Sequence, residues 1–138
     1  MTNISSYFEQ YGWASEEMEP GVWRSTFASE HEEDFDLYVL VAEDWVHFAV
    51  SPLLPPLPHG ATDRLYATLL RLNQEVRLVR FAVDADGDVN LLADLPLARI
   101  SFATFAQTVD LLVYYAGQLA IDLRRVATEA DFHLPLFD

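Results

Sequence analysis

The sequence predicts an α+β domain, an antiparallel β-sheet with helices packed on it, in the order helix, three strands, helix, two strands, helix. Three observations carry that prediction. Apolar side chains alternate with period two over residues 22–51 and again over 78–94, as strands with one buried face require. Apolar side chains recur every three or four positions over 63–75 and 101–125, as helices lying on a core require. Short turn signals separate neighbouring strands, which suits antiparallel hairpins. At 138 residues the chain makes one domain, 1–138, with a short apolar tail over 128–138.

Residues 3–12 form a short helix with Ile4, Phe8 and Tyr11 on one face, and Gly12 suits its end. Met18-Glu19-Pro20-Gly21 reads as a turn. A strand over 22–28 puts Trp23, Ser25 and Phe27 on one face, and an acidic loop from Ser29 to Asp34 follows. The strands over 35–42 and 45–51 are joined by Glu43-Asp44, which pairs Val41 with Val46, Val39 with Phe48 and Leu37 with Val50. All six side chains then share a face, and a one-residue slip would scatter them. The opposite face carries Tyr38, Leu40, Trp45 and His47, too apolar for a plain solvent face.

SPLLPPLPHG, residues 51–60, is a rigid proline-rich crossover whose leucines cap the core, since prolines do not sit in central strands. A helix over 63–75, capped by Thr62 or Asp63, turns Leu65, Leu69, Leu72 and Val76 inward. Strands over 78–84 and 88–94 follow. The last helix runs from Ser101 to about Arg125, with Phe102, Phe105, Val109, Leu112, Ala116, Leu119 and Leu123 as its core stripe. It carries a second apolar set, Leu111, Tyr114, Tyr115 and Ile121, which needs cover from the crossover, the tail or a second copy of the chain. We expect a homodimer contact there. The tail, DFHLPLFD, is apolar enough to dock, on its own domain or on a neighbour.

The stretch VDADGDV, residues 83–89, places Asp84, Asp86 and Asp88 around Gly87. A calcium loop starting at Asp84 or Asp86 needs glycine at its sixth position, where Val89 or Leu91 stands. A hairpin explains the residues better. With Ala85-Asp86-Gly87 as the loop, Val83 meets Val89, Phe81 meets Leu91 and Val79 meets Ala93, and Gly87 takes the positive φ. Asp84 and Asp88 then face each other as like charges, at a cost of ~0.2–1 kcal/mol.

Composition narrows the function. The chain is 51% hydrophobic and 13% aromatic, so it folds. It has no cysteine, which excludes disulfides, thiolate catalysis and cysteine-held metals. Its net charge of −14 repels nucleic acid and anionic membranes and favours a basic partner. No stretch reads as a signal peptide or a membrane span, so a cytoplasmic protein is expected. His31, His47, His59 and His133 show no metal-ligand spacing, and no metal or cofactor is expected. The five glycines make no phosphate-binding loop, and no nucleophile motif is present, so no catalytic residue is assigned.

Trp23, Leu69-Leu70-Arg71-Leu72-Asn73, Arg80-Phe81-Ala82-Val83-Asp84 running into Asp86-Gly87-Asp88-Val89, and the Asp94-Leu95-Pro96 step together resemble the YbjN family over about residues 10–125. Members of that family are described as bacterial sensory-transduction regulators, and their fold is similar to the type III secretion chaperones. The resemblance implies a chaperone-like α+β fold and a small, acidic, dimeric protein that holds an extended segment of a partner. It carries no catalytic residues over. The leading expectation is therefore a non-enzymatic protein-interaction module, chaperone-like or regulatory. Tyr38, Leu40, Trp45 and His47 would contact the partner, a basic or amphipathic segment, with the acidic loop Glu30–Asp36 selecting charge. The alternatives are a small-ligand or enzymatic domain with a site assembled from distant residues, and a structural dimerisation unit.

Overall fold

A computed structural model describes residues 3–31, 33–57 and 62–137. The elements are α1 (Ile4–Tyr11), β1 (Glu16–Glu19), β2 (Val22–Ala28), β3 (Asp34–Ala42), β4 (Trp45–Val50), α2 (Asp63–Glu75), β5 (Arg80–Val83), β6 (Val89–Pro96) and α3 (Phe102–Thr128). The expected order of helices and strands is present, with one strand added before the first expected one. Glu32, Pro58, His59, Gly60 and Asp138, on which sequence expectations fell, lie outside the described residues.

The added strand, β1, corrects the reading of Met18 and Glu19 as part of a turn. Its residues, Glu16, Glu17, Met18 and Glu19, are all exposed, so no apolar alternation announces them. Only pairing with β2, through Glu16–Arg24 and Glu17–Trp23, makes them a strand. The turn itself is Pro20-Gly21. Gly21 takes φ 86°, and a Cβ there would meet the Val41 carbonyl oxygen at 3.2 Å.

The sheet order is β1-β2-β3-β4-β6-β5, every neighbour antiparallel. The β3–β4 hairpin has the expected register, Val41–Val46, Val39–Phe48 and Leu37–Val50. Glu43 absorbs the missing Asn-Gly by adopting φ 57°. In the β5–β6 hairpin Phe81 pairs with Leu91 and Val83 with Val89 as expected, while the ladder begins at Arg80 and leaves Val79 outside it. Gly87 takes φ 84°. Asp84 Oδ1 accepts from the backbone N–H of Asp86 and Asp88 at 2.9 and 3.0 Å, and its Oδ2 accepts from the Asn90 amide at 3.1 Å. The Asn90 bond, then the backbone donors, hold the Asp84 carboxyl below the usual carboxylate range, with desolvation a smaller opposing effect. The aspartates are turn chemistry.

All three helices cover one face of the sheet. Phe48, Phe81 and Val109 belong to one buried cluster with Ile4 and Phe8 of α1 and Leu65, Leu69 and Leu72 of α2. On α3 the buried residues are Phe105, Thr108, Val109, Leu112, Ala116, Ala120, Leu123 and Val126, while Phe102 and Leu119, expected in the stripe, are only half-buried. Ser101 and Thr104 close a capping box at the start of α3, and Thr62 caps α2. The crossover buries Leu53 and Leu54, and the Leu53 N–H donates to the Val89 carbonyl at 2.7 Å.

The β5 edge is closed by a side chain. Asn73 of α2 accepts from the Phe81 N–H at 2.7 Å and donates to the Phe81 carbonyl at 3.1 Å. One carboxamide thus stands in for a neighbouring strand. No described helix is long and apolar enough to cross a membrane.

Candidate functional site

Antiparallel register sends paired residues to the same side of a sheet. The centre of the side away from the helices therefore carries three cross-strand rows. One row is Ala42, Trp45 and Pro96, the second is Val22, Leu40, His47 and Asp94, and the third is Arg24, Tyr38, Ala49, Leu92 and Arg80. Tyr38, Leu40, Trp45 and His47 are thus brought together on one uncovered face, across β3 and β4. Leu40 is 38% exposed and Trp45 45% exposed, while Tyr38 and His47 are half-buried by their neighbours.

The face has a charged border that the sequence reading missed. His47 Nδ1 lies 2.5 Å from Asp94 Oδ1, and Arg80 donates to Asp94 Oδ2 at 2.7 Å. Burial alone would raise the Asp94 pKa. The hydrogen bonds from His47 and Arg80, with their charges, outweigh it and hold the carboxyl below its ordinary range. The outward alternation of Leu92 and Asp94 along β6 is a sequence signal for this border. The pairing of β4 with β6 is not, because the two strands come from different hairpins.

Part of the acidic loop is already engaged. Glu33 pairs with Arg124 of α3 at 3.0 Å, and Glu30 accepts from Gln118 at 3.1 Å. Asp36 lies on β3, where it accepts from Thr26 at 2.9 Å. Of the second α3 set, Tyr114 is 58% exposed, while Leu111, Tyr115 and Ile121 are half-buried. The Tyr115 hydroxyl accepts from the Arg77 N–H at 3.1 Å. The tail docks in cis, with Leu134 buried against α2 and α3.

A small-ligand site would need a cleft with converging polar groups near His47 or the aspartate turn. Clefts of about 430, 400 and 380 Å³ lie beside β1–β2, along the α2–α3 seam, and under the crossover. None of these three includes His47, Asp84, Asp86 or Asp88. Among the described residues no three His, Asp or Glu side chains converge as a metal cluster would. What the outer face offers is a shallow apolar strip of Trp, Leu and Tyr with one ion network at its edge.

Comparison with solved structures finds the same fold in chains solved within protein complexes. A chain of the ExsC–ExsE complex superposes with a TM-score of 0.60 at 14% identity, covering 85% of this chain and 90% of that one. A chain of the heterodimeric ExoU–SpcU complex from the type III secretion system of Pseudomonas aeruginosa gives 0.60 at 19% identity, covering 86% and 96%. A chain of the complex of the Yersinia pestis type III secretion chaperone SycH with a stable fragment of YscM2 gives 0.51 at 18% identity, covering 85% and 99%. Likeness at such identities shows a shared fold. A comparison with curated proteins finds no match. The family whose members are described as "Putative bacterial sensory transduction regulator" matches residues 2–119, which spans the sheet, α1, α2 and most of α3, and this chain belongs to that family, YbjN.

Proposed function

We propose that this protein is a non-enzymatic interaction module, chaperone-like or regulatory, that holds an extended basic or amphipathic segment of a partner protein on its outer sheet face. The observation that carries the reading is the strip of Trp45, Leu40 and Tyr38, left uncovered while three helices crowd the other side. Trp45 and Tyr38 supply contact area, and His47 with Asp94 supplies polar selection at the rim. The net charge of −14 supplies long-range attraction for a cationic segment. The fold likeness to chains solved in complexes with protein partners supports the same reading. A homodimer through Leu111, Tyr114, Tyr115 and Ile121 extends it, supported by the exposed Tyr114 ring.

The test substitutes Trp45 and Leu40 by Ser and compares capture of partner proteins from the native lysate with that by the unaltered chain. We expect partner capture to be lost while the far-UV circular dichroism spectrum is retained. Unchanged capture, or unfolding of the variant, would overturn the proposal. Light scattering on the purified protein tests the dimer, and a monomer at high concentration would exclude it.

A further inference from the structure

The segment after α3 is held like a bound peptide. Leu134 is its anchor, buried in the core between α2 and α3, whereas Leu136, two residues on, is 60% exposed. Arg64, near the start of α2, donates to the carbonyls of Val126 and Glu129 at 3.2 and 3.1 Å, and the same guanidinium reaches the Phe132 carbonyl. Arg125 lies 3.9 Å over the Phe132 ring, and Arg71 lies 3.8 Å over the Phe137 ring.

Three of the eight basic side chains of a strongly acidic protein therefore converge on one short stretch. That stretch, DFHLPLFD, is aromatic and acidic at its ends. Apart from the local turn bond from the Phe132 N–H to the Glu129 carbonyl, the polar and cationic contacts named here go to a backbone carbonyl or a ring face, groups that a separate peptide would also present. Two of the Arg64 acceptors, the Val126 and Glu129 carbonyls, lie outside the stretch. Clefts of about 200 and 400 Å³ lie on either side of Leu134, so the seam is not packed shut around its occupant. The family match ends at residue 119, before this segment begins.

We propose that the α2–α3 seam is a second binding site, for a short acid-flanked aromatic peptide, and that residues 130–137 are its tethered occupant. A partner segment presenting an aromatic, a leucine and an aromatic at the spacing of Phe132, Leu134 and Phe137 enters by displacing them. The site lies on the helix side of the sheet and is independent of the Trp45 face. Tethering gives the resident segment an effective concentration of about millimolar order, so an external peptide binds only where that competition is lowered.

The experiment uses the full chain with Phe132, Leu134 and Phe137 all replaced by Ala, and a fluorescein-labelled peptide of residues 130–138 read by anisotropy. We expect saturable one-to-one binding at least tenfold tighter than to the unaltered chain. Adding Arg71→Ala weakens it at least fivefold, and a peptide of scrambled order does not bind. The proposal falls if the folded triple variant shows no saturation at millimolar peptide. It also falls if unaltered chain or scrambled peptide performs equally well. Unfolding of the triple variant, or of a chain cut after Glu129, would make the segment part of the core and likewise overturn it.

Discussion

Leu134→Ala separates a docked segment from an integral one, because the two respond differently to the same loss of volume. The substitution removes three buried carbons, which at ~0.8 kcal/mol each is ~2.4 kcal/mol of transfer free energy. An interior leucine such as Leu112, wholly buried on α3, loses about 2–5 kcal/mol when cut to alanine, because a cavity remains. Leu134 has a ceiling that Leu112 lacks. Once the segment has let go, nothing further is lost, so the fall in global stability cannot exceed the free energy of docking. The Phe132 N–H donates to the Glu129 carbonyl at 3.2 Å and the Phe137 N–H to the Leu134 carbonyl at 3.0 Å, and these amides report docking. In hydrogen exchange they should speed up by ~50-fold, the equivalent of ~2.4 kcal/mol, or reach the unprotected rate first. Urea unfolding should fall by no more than ~2.4 kcal/mol. Leu136→Ala, at an exposed position, should change neither readout. A loss of 4 kcal/mol or more in urea, or unchanged exchange at Phe132 and Phe137, would refute the picture of a detachable segment.

Asn73→Ala strips both hydrogen bonds from Phe81 on the β5 edge, and at ~1 kcal/mol per bond the urea stability should drop by ~1–3 kcal/mol. Asn73→Asp keeps the acceptor for the Phe81 N–H and should recover part of that, so equal losses in the two variants would argue against the edge-capping role. Tyr11 is pushed above the ordinary tyrosine range, first by burial and then by its hydrogen bond to Asp110 and the charge of that carboxylate. Its folded pKa is raised, so its contribution to stability is whole below about pH 10 and is lost as pH climbs through the higher folded value. Absorbance titration of the six tyrosines should show one ionising last, and Tyr11→Phe should remove that step. Six tyrosines titrating together would contradict the Tyr11–Asp110 pairing.

Local pattern carried most of the architecture. Val39, Val41, Val46 and Phe48 alternate so regularly that one hairpin register keeps them all inside, and Leu65, Leu69 and Leu72 repeat as only a helix can use. Gly87 and its flanking aspartates named their turn by chemistry, and Ser101 marked the start of α3. That Tyr38, Leu40, Trp45 and His47 share the outer face was legible because parity alone decides which side of a strand a residue takes. Three features were out of reach. The acidic β1 has no apolar periodicity and exists only by pairing with β2. The β4–β6 pairing that joins His47 to Asp94 and Arg80 links residues far apart in the chain. The seating of Leu134 under Arg64 and Arg71 depends on where α2 and α3 meet. Periodicity records which face of an element avoids water, and that is a property of neighbours in sequence. Strand order and side-chain meeting points depend on how those faces share one core, and only the folded chain decides that.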